Sequence, residues 1–518
     1  MQISLAHAAR LCDAAWRARL AALMLICAIG VALCGCSRGG APSVQSPRTV
    51  PRAVCGPGDH PETALQGQVP APLRRPGGFA GFNCNLQLVA QSRGDGAGWQ
   101  AVFFTDAAGH SCAYYDTAPT RLHRTHTGVV VMEVTDLAHP TPTNYLTSDA
   151  MYDPLESLKV SPQRPLLGAV GSVNASGGPD IELYDLAPDC RAPRLLSRPP
   201  PNRVASQDLV RADEGSFSPD GLTYYATNLH AGSIYVIDVA DPATPRLLAE
   251  WDMPFNQQTS GIALSADGNR AYLTLFGHGQ AAPGGLATSL DNGIVIADVS
   301  DVQSRRPHPQ IRVISTLLWG DGSGSHQVMP VRIGGRSYLI ASDQGGSGLT
   351  NAAGWMAACS AGLPAFGMVR IIDISDEKSP RIVSRLQLEV NDPSNCRQVI
   401  PDLTGLSGFT YDSHYCSTDD PRNATALACA SFESGIRVFD IRDALHPREI
   451  AYFVPPSATV PSPGSQNTRG TPNGRPDHCS AQIRLDAATA GLMTTCQDNG
   501  FLTLKFTHGV WPFKAADE

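Results

Sequence analysis

The sequence predicts an all-β fold, a seven-bladed β-propeller of four-stranded antiparallel blades, and three observations carry that prediction. The first is a strand-plus-turn that recurs. Its clearest copy runs from Gly435 to Asp443 (GIRVFDIRD) and is closed by His446 and Pro447. Its apolar residues are almost unbroken, as in a strand buried on both faces, and Asp443 to Pro447 is turn chemistry. Close copies run from Ser233 to Asp241, Asn292 to Asp301 and Met368 to Asp376. Gly128 to Asp136 and Asp180 to Ala187 are weaker, and Gly500 to Phe506 is degenerate. The aligned slots are Asp136, Asp185, Asp238, Asp298, Asp373, Asp440 and Lys505, about 50 to 75 residues apart, the spacing of propellers and arrays. The second observation is a pair of hairpin signals, Ser218 to Gly221 (SPDG) and Ser265 to Gly268 (SADG), each ahead of a strand-like run. The third is that, beyond the N-terminal apolar run, no stretch longer than about ten residues has helical periodicity.

Taken in order, the chain opens with Arg10, Arg17 and Arg19 ahead of an apolar run from Leu20 to Leu33. That run is shorter than the roughly 20 residues a membrane-spanning helix needs, and a positive start with a short apolar core reads as a secretory signal over 1–35. Its end, Leu33-Cys34-Gly35-Cys36, resembles the lipobox of bacterial lipoproteins. The resemblance implies cleavage before Cys36 and lipid on its sulfur, and Ser37 in the next position implies an outer-membrane destination. Residues 36–78 are rich in Pro, Gly, Arg and Ser and read as a flexible tether, with Cys55 a point at which part of it is pinned to the body. The propeller is expected over 79–518.

Fourteen cysteines are present, and ten remain once Cys12, Cys27, Cys34 and Cys36 are set aside. An even set in an exported chain reads as disulfides. Cys479 with Cys496 and Cys416 with Cys429 flank hairpins; Cys84 with Cys112 and Cys359 with Cys396 are further expected pairs, leaving Cys55 with Cys190. The formal charge is −8, and the first 35 residues hold three Arg and one Asp, so the remainder carries −10. That excludes the basic footprint of a nucleic-acid binder.

Four strands per unit are expected: Cys84–Val89, Trp99–Phe104, Cys112–Tyr115 and Val129–Val134 in the first, and Ser157–Val160, Leu166–Val170, Ile181–Tyr184 and Pro193–Leu196 in the second. Insertions at Asp343–Phe366 and Glu389–Tyr411, and a Pro/Ser/Gly-rich stretch at Pro455–Pro476, interrupt the later units.

The recurring strand, seen as Tyr235-Val236-Ile237-Asp238-Val239, resembles that of LVIVD-repeat proteins, a family of extracytoplasmic β-propellers. The resemblance covers about Phe82 to Phe506 and implies the architecture and location, but no single reaction. No Trp-Asp pair ends any unit, which disfavours WD40.

In a propeller the innermost strand of each blade lines the central channel. Read by repeat alignment, the residues opening those strands are Asn83, Glu156, Asp213, Ser260, His326, His414 and His478. All are polar, and three successive blades offer His. Such a ring is either a ligand-binding channel mouth or a set of satisfied polar groups. His326, His414 and His478 are the candidate ligands for a divalent metal, since imidazole suits Zn, Cu, Fe and Ni. The motif Asp residues, present in every good copy, read as turn-formers. Trp251, Trp319 and Trp355 read as sugar- or protein-binding surface or as core. The resulting expectation is a cell-envelope lipoprotein, anchored to the outer membrane through lipid, whose propeller binds a protein or glycan partner without catalysis. The alternative is a metal-dependent hydrolase or lyase using the three histidines.

Overall fold

The computed structural model describes residues 49–513 apart from 75–77, 118–124, 173–180, 198–211, 230, 254–256, 278–291, 349, 407, 463–464 and 466–475. The signal region and Cys36 lie outside the described residues.

The described residues form seven antiparallel sheets, six of four strands and one of five. Five blades are continuous in sequence: 101–146, 159–195, 214–252, 262–318 and 323–386. The sixth uses strands from Cys416 to Val454 and adds Phe82–Cys84 as a fifth, outermost strand. The seventh takes three strands from the C-terminal end (Arg484–Asp486, Gly491–Cys496, Gly500–Phe506) and its outer strand, Leu86–Ser92, from the N-terminal end. Closing the ring this way pairs the two ends of the array and removes an open edge.

This closure corrects the expected first blade. Leu86–Ser92 belongs to the last blade, and the first blade is Ala101–Thr105, Ser111–Asp116, Val129–Glu133 and Thr141–Leu146. The aligned slot of that blade moves as well. Asp238, Asp373 and Asp440 end their strands opposite Arg246, Arg381 and Arg448, whereas Glu133, three residues before Asp136, holds the equivalent place opposite Thr141.

The motif Asp residues are turn-formers. Asp185, Asp238, Asp298, Asp373 and Asp440 each accept the backbone N–H two residues on, at 2.8–3.1 Å. Asx turns of this kind hold the exit from the third strand.

Apolar packing lies between blades. Val129 and Val131 of the first blade pack with Leu167 and Ala169 of the second, and Tyr225 and Val236 of the third with Leu273 and Val295 of the fourth. Each third strand is thereby buried on both faces, which is why the motif is continuously apolar. The Asp343–Phe366 insertion holds a nine-residue helix, Ala352–Ser360, capped by the Asn351 side chain on the Gly354 N–H at 3.1 Å. Cys359 in it bonds to Cys396 of the next insertion.

From Thr49 to Arg74 the chain is packed on the sixth blade rather than behaving as a tether. Val50 and Val69 are buried, Arg52 pairs with Glu389, and Cys55 is bonded to Cys84. Cys112 pairs with Cys190. These two bonds replace the expected Cys84–Cys112 and Cys55–Cys190, because Cys84 lies on the sixth blade's outer strand and cannot reach the first. Cys416–Cys429 and Cys479–Cys496 form as expected; the first joins directly opposed residues.

Candidate functional site

Five of the seven expected ring residues precede inner strands, and His326 lies within one, Ser323–Ile333. Equivalent backbone bonds show the repeat. The Asp213 N–H donates to Thr227 O at 2.7 Å and the His414 N–H to Ala430 O at 2.9 Å, each at the end of its blade's second strand. Asn83 is the exception. It sits on the outer strand of the sixth blade opposite Phe453, and its side chain donates to Leu86 O at 2.8 Å. In the first blade the equivalent backbone bond, to Asp116 O at 2.7 Å, is made by Gly98. A Cβ there would stand 2.0 Å from the Asp116 carboxylate, so a side chain at this position would require that carboxylate to shift.

Around the axis the ring residues separate into two groups. In the first, Glu156 receives two histidines. His326 Nε2 lies 2.8 Å from Glu156 Oε2, and His414 Nε2 lies 3.2 Å from Oε1. The two imidazoles stack with centroids 3.9 Å apart and planes 25° from parallel. Tyr415 meets both rings edge-on, at 4.9 and 4.8 Å. Ser260 Oγ donates to Asp213 Oδ2 at 2.9 Å. Lys159 Nζ pairs with Glu214 Oε1 at 3.0 Å.

All three members of the central cluster are buried, and their charge states follow. Burial pushes Glu156 up, but the His326 and His414 imidazoles outweigh it and hold its carboxyl well below the usual range. Burial pushes His326 down to about 4, against the pull of Glu156, so it is neutral at pH 7. Burial raises Glu214 to about 7 despite Lys159, and raises Asp213 well above its usual value with Glu156 adding to the effect.

His478 belongs to the second group. Its Nε2 is 3.5 Å from Glu433 Oε1, and Glu433 in turn pairs with Arg74 at 2.5 Å. The structure therefore brings together His326 and His414 with Glu156, and places His478 with a different carboxylate.

Aromatic side chains pack against these groups. Phe432 lies in the turn between the second and third strands of the sixth blade with φ +41°, a left-handed conformation that is costly for an aromatic residue. It is tied to the seventh blade by a reciprocal backbone bridge with Cys479. Its ring stacks on Phe409 at 5.0 Å and contacts Trp99, His414 and His478 at 6.0, 5.1 and 5.5 Å. Sequence alignment missed this roof, and also Lys159, Glu214 and Tyr415. The signal available was the neighbouring pairs Asp213-Glu214 and His414-Tyr415, where strict alternation would send only one member inward.

Further along the same inner strands, at the opposite mouth, lies a cavity of about 490 Å³. Pro162, Phe217, Pro219, Ala263, Leu264, Pro330, Val331 and Pro421 give it an apolar lining, and Arg332, Glu377 and Arg422 add charge.

Two other groupings resemble ligand sets. Cys55 and Cys84 beside Asp59 are oxidised to a disulfide. Asp106 and Asp189 beside His110 are engaged, Asp106 by the backbone N–H groups of Ala108 and His110 and Asp189 by both arms of Arg191.

No protein-family model and no curated protein matches the chain. Among solved structures it is similar to a Lactobacillus plantarum protein at 12% identity and TM-score 0.42, covering 72% of this chain and 85% of that one. It is similar to the WD40 domain of Toxoplasma gondii coronin at 10% identity and TM-score 0.44, covering 86% and 88%. A Bacteroides uniformis protein named as a 6-phosphogluconolactonase matches at 12% identity and TM-score 0.46, covering 74% and 92%. Fold does not carry function.

Proposed function

We propose that this chain is a non-enzymatic propeller scaffold of the cell envelope, anchored by lipid on Cys36 and akin to the LVIVD-repeat proteins, that holds a segment of a protein partner at the open channel mouth. One contrast carries the reading: the histidine-bearing end is roofed by Trp99, Phe409 and Phe432, while the opposite end opens into the 490 Å³ cavity. The roof also weakens the hydrolase or lyase alternative, since Trp99 and Phe432 pack directly against the His414 ring. Between a protein and a glycan, the lining favours protein. Prolines and aliphatic groups with a charged rim suit a peptide segment, and Trp319 and Trp355 are buried away from the cavity rather than displayed in it as flat faces on which a sugar could stack. Five disulfides accord with export.

A photo-crosslinking side chain at Arg422, on the cavity rim, tests this in intact cells, with Val313 on an exposed outer strand as the control. The expected result is a discrete protein adduct from position 422 that position 313 does not give; the same adducts from both, or none, refute it. Cys36→Ala should move the protein from the membrane to the soluble fraction, and retention of an unlipidated protein on the membrane would remove the anchor from the proposal.

A further inference from the structure

We infer that Glu156, His326 and His414 form a buried binding site for one divalent late transition-metal ion, of the Zn²⁺ or Cu²⁺ class, on the propeller axis. Three observations lead there. The ligand atoms of the three residues all lie within 4.8 Å of one another. Tetrahedral coordination at 2.0–2.1 Å places ligand atoms about 3.3 Å apart; the Glu156–His414 separation of 3.2 Å lies near that value and the Glu156–His326 separation of 2.8 Å about 0.5 Å below it. Two imidazole nitrogens and one carboxylate oxygen suit a borderline ion rather than Mg²⁺ or Ca²⁺, which take all-oxygen shells.

The second observation concerns a proton. His414 Nδ1 lies 2.8 Å from the carbonyl oxygen of Ser480. A carbonyl only accepts, so Nδ1 carries the hydrogen. The other ring nitrogen, Nε2, faces Glu156 Oε1 at 3.2 Å. Metal-binding histidines commonly donate their other N–H to a carbonyl in this way, fixing the ring for ligation.

The third is the local balance of charge. Glu156, Asp213 and Glu214 crowd the axis. Lys159 serves Glu214, and Asp213 receives the uncharged Ser260 hydroxyl. Glu156 meets two imidazoles and can satisfy a bound ion. The site differs from the three-histidine set read from the repeat alignment: Glu156 takes the place of His478, which lies against Glu433.

Full-length protein stripped with a chelator and dialysed against Zn²⁺ or Cu²⁺ tests the assignment. One ion per chain should remain by elemental analysis after gel filtration. Cu²⁺ loading should give an electron paramagnetic resonance spectrum with hyperfine splitting from two nitrogens. Affinity for Zn²⁺ should fall at least about 100-fold in Glu156→Gln and in His414→Gln, since loss of even an outer-shell partner typically costs 10–100-fold; His478→Gln should bind as the unaltered protein does. No retained ion, a spectrum with one or no nitrogen, or equal loss in His478→Gln and His414→Gln overturns the inference. The spectrum of the unaltered protein decides the matter even where a variant fails to fold.

Discussion

Arg437 offers the sharpest test of how the N-terminal segment is held. It lies on the third strand of the sixth blade, fully buried. Its guanidinium pairs with Glu62 of the N-terminal segment and with Glu449 of the neighbouring strand at 3.0 Å. It also donates to Ser434 O at 2.8 Å and lies over the Tyr452 ring at 4.7 Å. Both carboxylates are buried, at 3% and 0% side-chain exposure, so neither can turn to water once the cation is gone. Arg437→Met keeps most of the volume and removes the charge. Breaking a buried pair costs about 3–5 kcal/mol, and here two acceptors are stranded, so the upper part of that range is expected at pH 8. Burial already raises Glu62 above its usual value against the pull of Arg437. Without Arg437 a proton must take the cation's place. A carboxyl raised in the folded state binds more protons folded than unfolded, so the deficit shrinks as pH falls from 8 towards the unfolded value near 4.3, by about 1.4 kcal/mol per unit for each proton taken up. Equilibrium urea denaturation at pH 8 and 5.5 measures both quantities. The double variant Arg437→Met/Glu62→Gln should recover about 2 kcal/mol or more at pH 8. A deficit below about 1 kcal/mol, or one independent of pH, would show that the buried pair does not hold the segment.

Two further expectations follow from buried groups and cross-links. Burial raises Asp343 to about 6 despite Arg370, and Asp412 and Asp477 to about 7, so the folded state holds protons that the unfolded state has released between about pH 4 and 7. Stability should therefore rise as pH falls from 7.5 to 5, since Glu214, raised to about 7, and His326, lowered to about 4, oppose each other across the same window; a higher denaturation midpoint at pH 7.5 would reverse the sign. Cys112–Cys190 closes 78 residues and Cys416–Cys429 only 13, so chain-entropy arithmetic assigns about 4.5 and 3 kcal/mol to them. Replacing the first pair with Ala should lower the urea midpoint more than replacing the second, and equal losses would refute the entropic account.

What the sequence determined by itself is what repeats or stays local. The third strand of each blade recurs because it is buried between two neighbours, so its apolar run with a closing Asp is legible wherever it stands. The hairpin disulfides Cys416–Cys429 and Cys479–Cys496 could be read because antiparallel register brings close sequence neighbours side by side. Only the tertiary structure decided what depends on closing the ring. The first strand after the N-terminal segment, Phe82–Cys84, joins the sixth blade and the next, Leu86–Ser92, joins the last, which sends Asn83 and Cys84 away from the first blade and exchanges the partners of Cys55 and Cys112. Repeat alignment placed Glu156, His326 and His414 at one level, but which side chains meet across the axis depends on the direction each takes from its strand. That direction brings Glu156 between His326 and His414, although 170 residues separate it from His326, and leaves His478 with Glu433 on its own side of the channel.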